Sequence, residues 1–167
     1  RLYSSFASTS NNPSESAKFA KMAADHGDID MMYSYGRMLE RGNGVTIDKS
    51  KASSYFESAA KMGHLDAMND LAWMLQHGEG VKSDPKRALE LYKQAASLGH
   101  LDSIFNCAVM LHLGEGVPPD KVEAVKLYKL AASLGQANAM NSLAWLMQRG
   151  DGVEVDLESS LNLFKKA

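Results

Sequence analysis

The feature that most limits how this chain can fold is a 36-residue repeat that runs along nearly its whole length. A glycine recurs at Gly27, Gly63, Gly99 and Gly135, and a Gly-x-Gly-Val motif begins at Gly42, Gly78, Gly114 and Gly150. An aspartate follows each motif, at Asp48, Asp84, Asp120 and Asp156. A fixed period of this length indicates a stacked array, in which each unit buries its apolar face only against its neighbours.

Each unit contains two stretches with the spacing of an amphipathic helix. Helix A is shown in the second unit by Met68, Leu71, Ala72 and Leu75, and helix B by Ala88, Leu91, Tyr92 and Ala95. Positions i, i+3, i+4 and i+7 lie on one face of an α-helix. Because strand signals are missing throughout, the sequence predicts an all-α fold, an α-solenoid of about four helix–turn–helix repeats.

The residues between the helices predict where each helix begins and ends. An N-cap side chain accepts a hydrogen bond from a free backbone N–H, and in helix A we assign this role to Asp30, Asp66, Asp102 and Asn138. Gly78 and Gly99 are expected to end helices A and B in the left-handed conformation. Asp84-Pro85 predicts an N-cap and first-turn proline for helix B, and Asp120 with Glu123 predicts a capping box.

Small residues occupy two fixed slots of the repeat. One slot holds Gly36, Ala72, Ala108 and Ala144, and the other holds the pairs Ala59-Ala60, Ala95-Ala96 and Ala131-Ala132. We expect neighbouring helices to approach each other closely at these slots. A leucine placed there should overpack the interface by roughly 1–3 kcal/mol.

The period divides the chain into the end of a preceding repeat and four further repeats. These segments are residues 1–26, 27–62, 63–98, 99–134 and 135–167, the last of them truncated. Within the first segment, Asn12-Pro13 predicts a helix B over 13–25, and Arg1–Tyr3 would be the last turn of a helix A. Ala167 falls inside a helix B. Since natural arrays end in capping units, we expect this sequence to be part of a longer chain.

Composition excludes several classes of protein. Apolar residues make up 45% of the chain, which is enough to form a core. Lys and Arg number 18 against 20 Asp and Glu without a basic stripe, so we expect no nucleic acid and no anionic membrane as partner. No apolar run reaches the roughly 18–20 residues needed to cross a bilayer. A single cysteine, Cys107, excludes an internal disulfide framework and fits a reducing, cytoplasmic location.

The spacing Gly-x-Gly-Val, then Asp, then Ala-Ala-x-x-Gly, repeated every 36 residues, resembles the Sel-1-like repeat family, a relative of the tetratricopeptide repeats. The resemblance covers residues 13–167 and recurs four times. It implies a right-handed superhelix of antiparallel helix pairs that serves as an adaptor or scaffold. Family members act in endoplasmic-reticulum-associated degradation, signalling and bacterial host interaction, and the lumen of that organelle is the alternative location.

This chain departs from the family pattern in helix A. The family usually has Gly and Tyr where this chain has Ala72 and Leu75, and these are changes within the core. A slot that is commonly polar in the family holds Arg37, Trp73, Val109 and Trp145. The cysteine-rich bacterial subfamily closes each unit with a disulfide, which this chain cannot form.

Matching helix A to the tetratricopeptide pattern implies a set of partner-binding residues on the concave face. They are Tyr33 and Arg37 (with Asp30 beside them), Asn69, Trp73 and Gln76, Phe105 and Val109, and Asn141, Trp145 and Gln148. Asn69 and Trp73 lie on one helix face, since they are i and i+4, and Asn141 with Trp145 repeats the pair 72 residues later. We predict a groove in which Trp rings give apolar contact and Asn side chains pair with a partner's backbone. The alternative is that the rings pack between helices.

Other motifs in the sequence are better explained by structure than by chemistry. Gly78-Glu79-Gly80 follows a helix and recurs in every unit, so we interpret it as a turn and not as a phosphate loop. Ser58–Lys61 and Ser83–Lys86 match Ser-x-x-Lys, but the companion motifs of penicillin-recognising enzymes are absent. We therefore predict no catalytic residues and no enzyme activity.

Metal and cofactor sites are not indicated either. None of the histidines His26, His64, His77, His100 and His112 forms an i, i+4 pair on a helix, so surface or capping roles are expected. Cys107 aligns with Leu71 and Leu143, which predicts a buried and inert thiol. The ten methionines fall mostly at core slots such as Met68 and Met140.

Three functions remain open on this sequence. The chain is expected to bind other proteins or peptides as an adaptor on its concave face. It could instead be a structural component fixed within a large assembly, for example a cytoskeletal one. The third possibility is the regulatory or recruiting arm of a longer enzyme such as a kinase, whose catalytic domain lies outside these residues.

Overall fold

The computed structural model describes residues 12–167, and this part of the chain consists of helices joined by short loops, without a strand. The helices are α1 (Pro13–Asp25), α2 (Ile29–Arg41), α3 (Lys49–Lys61), α4 (Leu65–His77), α5 (Pro85–Ser97), α6 (Leu101–Leu113), α7 (Lys121–Ser133), α8 (Ala137–Arg149) and α9 (Leu157–Lys166). The chain divides into two compact units between Asp84 and Pro85. In the first unit α1 to α4 pack in sequence order, and in the second unit α5 to α9 do the same.

The helix starts follow the sequence period. Helices α1, α3, α5, α7 and α9 begin at residues 13, 49, 85, 121 and 157, and helices α2, α4, α6 and α8 begin at 29, 65, 101 and 137. Each start lies 36 residues after the previous one of its kind, so the first set are helices B and the second set are helices A. The helix B predicted over 13–25 is confirmed as α1. The helix turn predicted at Arg1–Tyr3 lies outside the described residues.

The core is built from aromatic rings packed against very small side chains. Phe56, Tyr92 and Tyr128 occupy one slot of helix B and are at most 2% exposed. In the slot of helix A that holds small residues, Ala72, Ala108 and Ala144 are fully buried. At Gly36, an added Cβ would lie 2.6 Å from Phe56 Cε1, which is far inside van der Waals contact. The predicted close approach of helices is therefore confirmed there.

Each helix A ends on a glycine in the left-handed conformation, as expected. The φ angles of Gly42, Gly78, Gly114 and Gly150 lie between 69° and 74°. The aspartate before the next helix then donates its backbone N–H to a carbonyl near the end of helix A, as in Asp84 to Leu75 at 2.9 Å and Asp120 to Leu111 at 2.8 Å. This bond satisfies a carbonyl that a helix end leaves without an intrahelical partner.

Helices α3, α7 and α9 begin with an aspartate N-cap, and α1 begins with Asn12, whose side-chain oxygen accepts from the Ser14 N–H at 3.0 Å. Asp48, Asp120 and Asp156 each accept a hydrogen bond from the backbone N–H three residues later. Helix α5 begins at Pro85, as predicted. The capping box predicted for Asp120 and Glu123 is only half formed, because the Asp120 N–H is already donated to Leu111 and the Glu123 carboxylate pairs with Lys126 at 2.9 Å.

The N-caps predicted for helix A are wrong by two residues. The caps are Asp28, His64, His100 and Gln136, and Asp30, Asp66, Asp102 and Asn138 lie inside the first helical turn. His64 Nδ1 accepts from the Ala67 N–H at 3.3 Å, and His100 Nδ1 accepts from the Ser103 N–H at 3.3 Å. An unprotonated imidazole nitrogen replaces the carboxylate oxygen in this role. The capping role expected for these two histidines is confirmed.

The second glycine of each Gly-x-Gly motif lies directly against the first residue of the preceding helix B. A Cβ at Gly44 would lie 2.0 Å from the Pro13 carbonyl oxygen, and one at Gly80 would lie 2.5 Å from Lys49 Cβ. Gly116 contacts Pro85 and Gly152 contacts Lys121 in the same way. The motif is therefore a turn that packs one repeat onto the one before it, and only glycine leaves enough space for this contact.

We predict that Gly80→Ala destabilises the protein much more than Gly63→Ala. Both glycines have positive φ, so alanine costs about 1–2 kcal/mol of backbone strain at either position. At Gly63 nothing lies within 4 Å of the added Cβ, whereas at Gly80 it collides with Lys49. The extra loss at Gly80 should be roughly 1–3 kcal/mol, measured by urea unfolding followed by circular dichroism. Equal losses would contradict the close packing of the turn.

We also predict that Cys107 is protected from thiol reagents until the protein unfolds. Cys107 is 1% exposed, and burial raises the pKa of its thiol to about 11. The reactive thiolate is therefore scarce at neutral pH. Labelling with a chromogenic disulfide at pH 7.5 should be slow in buffer and fast in urea, with a rate that follows the unfolding transition. Fast labelling of the folded protein would contradict the predicted burial.

Candidate functional site

The two tryptophans lie at the same position on α4 and α8, and both remain open to solvent. Trp73 is 42% exposed and Trp145 is 52% exposed. Trp73 stacks on His77 one turn later, with ring centroids 4.5 Å apart. Trp145 and Phe164 form a T-shaped pair with ring centroids 5.8 Å apart, and the Arg149 guanidinium lies 5.4 Å from the centroid of the Trp145 ring. Each ring thus has a basic residue beside it and apolar surface left uncovered.

The α4 site is the surface of Asn69, Trp73, Gln76 and His77, and it borders a cleft of about 450 Å³ between α2 and α4. The cleft is lined by charged side chains as well as by the Trp73 ring. Its cations are Arg37, Arg41 and Lys49, and its carboxylates are Glu40, Asp70 and Glu79. Three positive and three negative charges therefore balance each other in this cleft.

Arg37 and Tyr33, which the sequence placed among the partner-binding residues, are engaged within the protein. The Arg37 guanidinium donates to Asp70 Oδ2 at 2.8 Å and to the Tyr33 hydroxyl at 2.9 Å, while Tyr33 donates to the same oxygen at 3.1 Å. Arg37 Nε lies 3.3 Å from Glu40 Oε2, in ion-pair range but without hydrogen-bond geometry. This network joins α2 to α4 and fixes the wall of the cleft.

Burial determines the titration of this network. Burial, followed by the charge of Asp70, raises the pKa of Tyr33 to about 12, so its hydroxyl stays protonated and donates at neutral pH. Burial also raises the pKa of Glu40, against the opposing effect of Arg37. Tyr33 further stacks on His64 with ring centroids 4.5 Å apart. Tyr33 therefore contacts both Asp70 and His64, and it contributes mainly to the packing of α2 against α4.

The polar groups of Asn69 and Gln76 in the α4 site are partly engaged within the protein as well. Asn69 donates to Asp70 Oδ1 at 3.3 Å, and the backbone carbonyl of Gln76 accepts from the Ser83 hydroxyl at 3.3 Å. The Trp73 ring is therefore more accessible than the polar groups of the α4 site.

The α8 site, formed by Asn141, Trp145, Gln148 and Arg149, is more open. All four residues are exposed, and in the described part of the chain the side chains of Asn141 and Gln148 form no hydrogen bond with another residue. A cleft of about 290 Å³ borders the ring and is lined by His112, Tyr128 and Asp151, among others. Amide groups without internal partners can bind a peptide backbone, which offers both a donor and an acceptor.

Asp151 lies at the edge of the α8 cleft and is held by two residues. Lys121 Nζ lies 2.7 Å from its Oδ1, and His112 Nε2 lies 3.2 Å from its Oδ2. The hydrogen bond from Lys121, followed by that from His112, keeps the pKa of Asp151 below its usual value. At neutral pH the Asp151 carboxylate is therefore charged, and Lys121 neutralises that charge within the protein.

Phe105 and Val109 on α6 are only half-buried, and the partner-binding role predicted for them stays a prediction. Phe105 contacts Tyr128 edge-on, with ring centroids 5.8 Å apart. Both residues offer much less open surface than the two tryptophans. The predicted residues thus differ in exposure, since the two tryptophans are open to solvent and Phe105 and Val109 are half-buried.

Sequence reasoning missed the ion pairs at the rims of both clefts. Glu79 pairs with Lys49, and Asp151 pairs with Lys121. Both acids are the middle residue of a Gly-x-Gly motif, and both lysines are the residue against which the second glycine packs. The signal was present in the sequence, because both pairs are 30 residues apart and recur at 72 residues, as Asn69-Trp73 and Asn141-Trp145 do.

The chemical motifs singled out in the sequence have structural roles. The Ser58 hydroxyl donates to the Ser54 carbonyl at 2.9 Å, and that of Ser83 to the Gln76 carbonyl. Within residues 12–167, no three His, Cys, Asp or Glu side chains are grouped so that they could hold a metal ion. In the same range, no helix is long and apolar enough to cross a membrane.

Comparison with known families gives a match over nearly the whole chain. The Sel1 repeat matches residues 3–28, 29–64, 65–100, 101–136 and 137–167. The segments that begin at residues 29, 65, 101 and 137 follow the 36-residue period read from the sequence. No curated protein sequence matches the chain significantly.

Solved structures of Sel1 repeat proteins are similar to this chain over almost all its length. The protein c5321, a protective antigen of uropathogenic Escherichia coli strains with an SLR fold, is 25% identical, with a TM-score of 0.87 over 99% of this chain and 35% of its own. A Sel1 repeat protein from Oxalobacter formigenes is 24% identical, with a TM-score of 0.89 over 99% of this chain and 68% of its own. This chain thus spans about a third of c5321. The likenesses confirm the predicted α-solenoid fold class and the resemblance.

We predict that Asp70→Asn costs more stability than the matched change Glu79→Gln. Asp70 is partly buried and accepts two hydrogen bonds on one oxygen, so the amide leaves Arg37 without its closest carboxylate, at a cost of about 1.5–3 kcal/mol. The Lys49–Glu79 pair is more exposed, and its loss should cost at most about 1 kcal/mol. Urea unfolding measures both. A larger loss for Glu79→Gln would contradict the structural role of the Arg37 network.

Proposed function

Since this chain belongs to the Sel1 repeat family, whose repeats generally bind other proteins and are generally not enzymes, we propose that it is an interaction scaffold that binds a peptide segment of a partner on its A helices. The α4 and α8 sites are the binding surfaces in this proposal. Each presents a tryptophan with an asparagine one turn before it on the same face of a rigid helix.

The observation that carries the proposal is the exposure of Trp73 and Trp145 at one repeat slot. Tryptophan is highly buried on average, and it is enriched among the residues that dominate binding energy. Its ring offers a large apolar area and loses little conformational freedom on binding. Two such rings, each bordering a cleft, form two matching places for apolar side chains of a partner.

The polar groups beside the rings support a peptide as the ligand. Asn141 and Gln148 carry both a donor and an acceptor, and they lie within one turn of Trp145 along α8. An extended segment can place a side chain on the ring while its backbone amides meet these side chains. In this arrangement the Trp145 ring supplies most of the affinity, and the amides of Asn141 and Gln148 orient the bound segment.

We predict that Trp145→Ala and Trp73→Ala weaken peptide binding and leave the fold almost unchanged. A random peptide display library selected on the wild-type protein supplies the probes, and calorimetry with the best peptides gives the affinities. Loss of a binding hot spot costs about 2 kcal/mol or more, which is roughly 30-fold in Kd. Because the rings are half-exposed, thermal unfolding should shift little.

The matched control is Leu134→Ala, at a residue that is 55% exposed at the end of α7. This change removes exposed apolar surface in the loop between α7 and α8, outside the α4 and α8 sites, so it should leave Kd unchanged. If Leu134→Ala weakens binding and the tryptophan variants do not, the A-helix surface is not the binding surface. Large losses of stability in the tryptophan variants would show instead that the rings serve packing.

A further inference from the structure

We propose that the α8 site selects peptide segments in which an acidic side chain lies close to an apolar one. The inference rests on the proposed function, and it adds the chemistry of the partner. The apolar side chain covers the Trp145 ring, and the carboxylate pairs with the Arg149 guanidinium.

Arg149 lies beside Trp145 with its charge available to a partner. It is the last residue of α8, one turn after Trp145, and its guanidinium lies 5.4 Å from the centroid of that ring. Arg149 is exposed, and no carboxylate in the described part of the chain forms an ion pair with it. A guanidinium held over an aromatic ring by a cation–π contact keeps its N–H donors available for a planar carboxylate.

The acidic residue in the same cleft, Asp151, is already paired within the protein. Asp151 lines the same cleft, and its two oxygens are held by Lys121 at 2.7 Å and His112 at 3.2 Å. Its charge therefore balances that of Lys121. Among the residues that line this cleft, Arg149 is therefore the cation that has no carboxylate partner in the described part of the chain.

The α4 site supplies an internal contrast. The residue equivalent to Arg149 is His77, whose ring stacks on Trp73 and whose Nδ1 lies 2.9 Å from the Trp73 carbonyl oxygen. The adjoining cleft is lined by three cations and three carboxylates, so the charges of its lining residues balance. The two sites share an apolar ring and differ in charge, which assigns the preference for acidic segments to the α8 site.

Selection from a random decapeptide display library tests this assignment directly. The library is selected on the wild-type protein and on Arg149→Glu, and the recovered sequences are compared. Wild-type protein should enrich Asp and Glu within a few positions of an aromatic or aliphatic residue, and Arg149→Glu should enrich Lys and Arg there. The matched control is Lys129→Glu, at an exposed lysine on α7 that does not line the cleft, and it makes the same change in net charge.

A second measurement tests the pairing itself. The best wild-type peptide is compared with its isostere in which Asp or Glu is replaced by Asn or Gln. The replacement should weaken binding to wild-type protein about fivefold, and it should have almost no effect on binding to Arg149→Gln. The affinity of wild-type protein should also fall with added salt, and that of Arg149→Gln should fall less.

The outcomes separate this inference from the proposed function. Peptides that depend on Trp145 but show no acidic enrichment, or an unchanged selection by Arg149→Glu, would overturn the inference and leave the scaffold function in place. A shift of the same size with Lys129→Glu would overturn it as well, since overall charge would then explain the selection. Failure to recover any tryptophan-dependent peptide would count against both.

Discussion

The contact on which the rest of this structure depends is the packing of the Gly-x-Gly turn against the preceding helix B. The second glycine approaches the first residue of that helix so closely that a Cβ at Gly80 would lie 2.5 Å from Lys49 Cβ. The residue between the two glycines therefore lies beside the lysine that begins the preceding helix B. Glu79 pairs with Lys49 in this way, and Asp151 pairs with Lys121. One short turn sets both the spacing of repeats and the rims of the two clefts.

The sites on the A helices follow from this arrangement. Because helix A is fixed at its end by the turn and along its length by close contacts such as Gly36 with Phe56, its outward residues are presented on a rigid support. Trp73 and Trp145 remain half-exposed, whereas Arg37 and Tyr33 are drawn into the contact between α2 and α4. Equivalent slots thus stay open to solvent in one repeat and serve packing in another.

The sequence predicted the helices, the left-handed glycines and the close approach of small residues, because each of these is determined by local chemistry repeated four times. It misplaced the caps of helix A, since propensity favours Asp66 over His64, and only the backbone shows which residue is extended. The Arg37–Asp70 pair could not be read from the repeat, because Asp70 is not repeated in its slot and the contact joins two units of the period. The partner-binding role of the A-helix residues stays a prediction.

The most direct test of the account is the indole N–H spectrum of the protein during titration with a selected peptide. The chain has two tryptophans, so two indole signals report on the two sites, and Trp73→Phe assigns them. The account predicts that the Trp145 signal shifts and saturates with the calorimetric Kd. Saturation of binding while the Trp145 indole signal stays unmoved would contradict it.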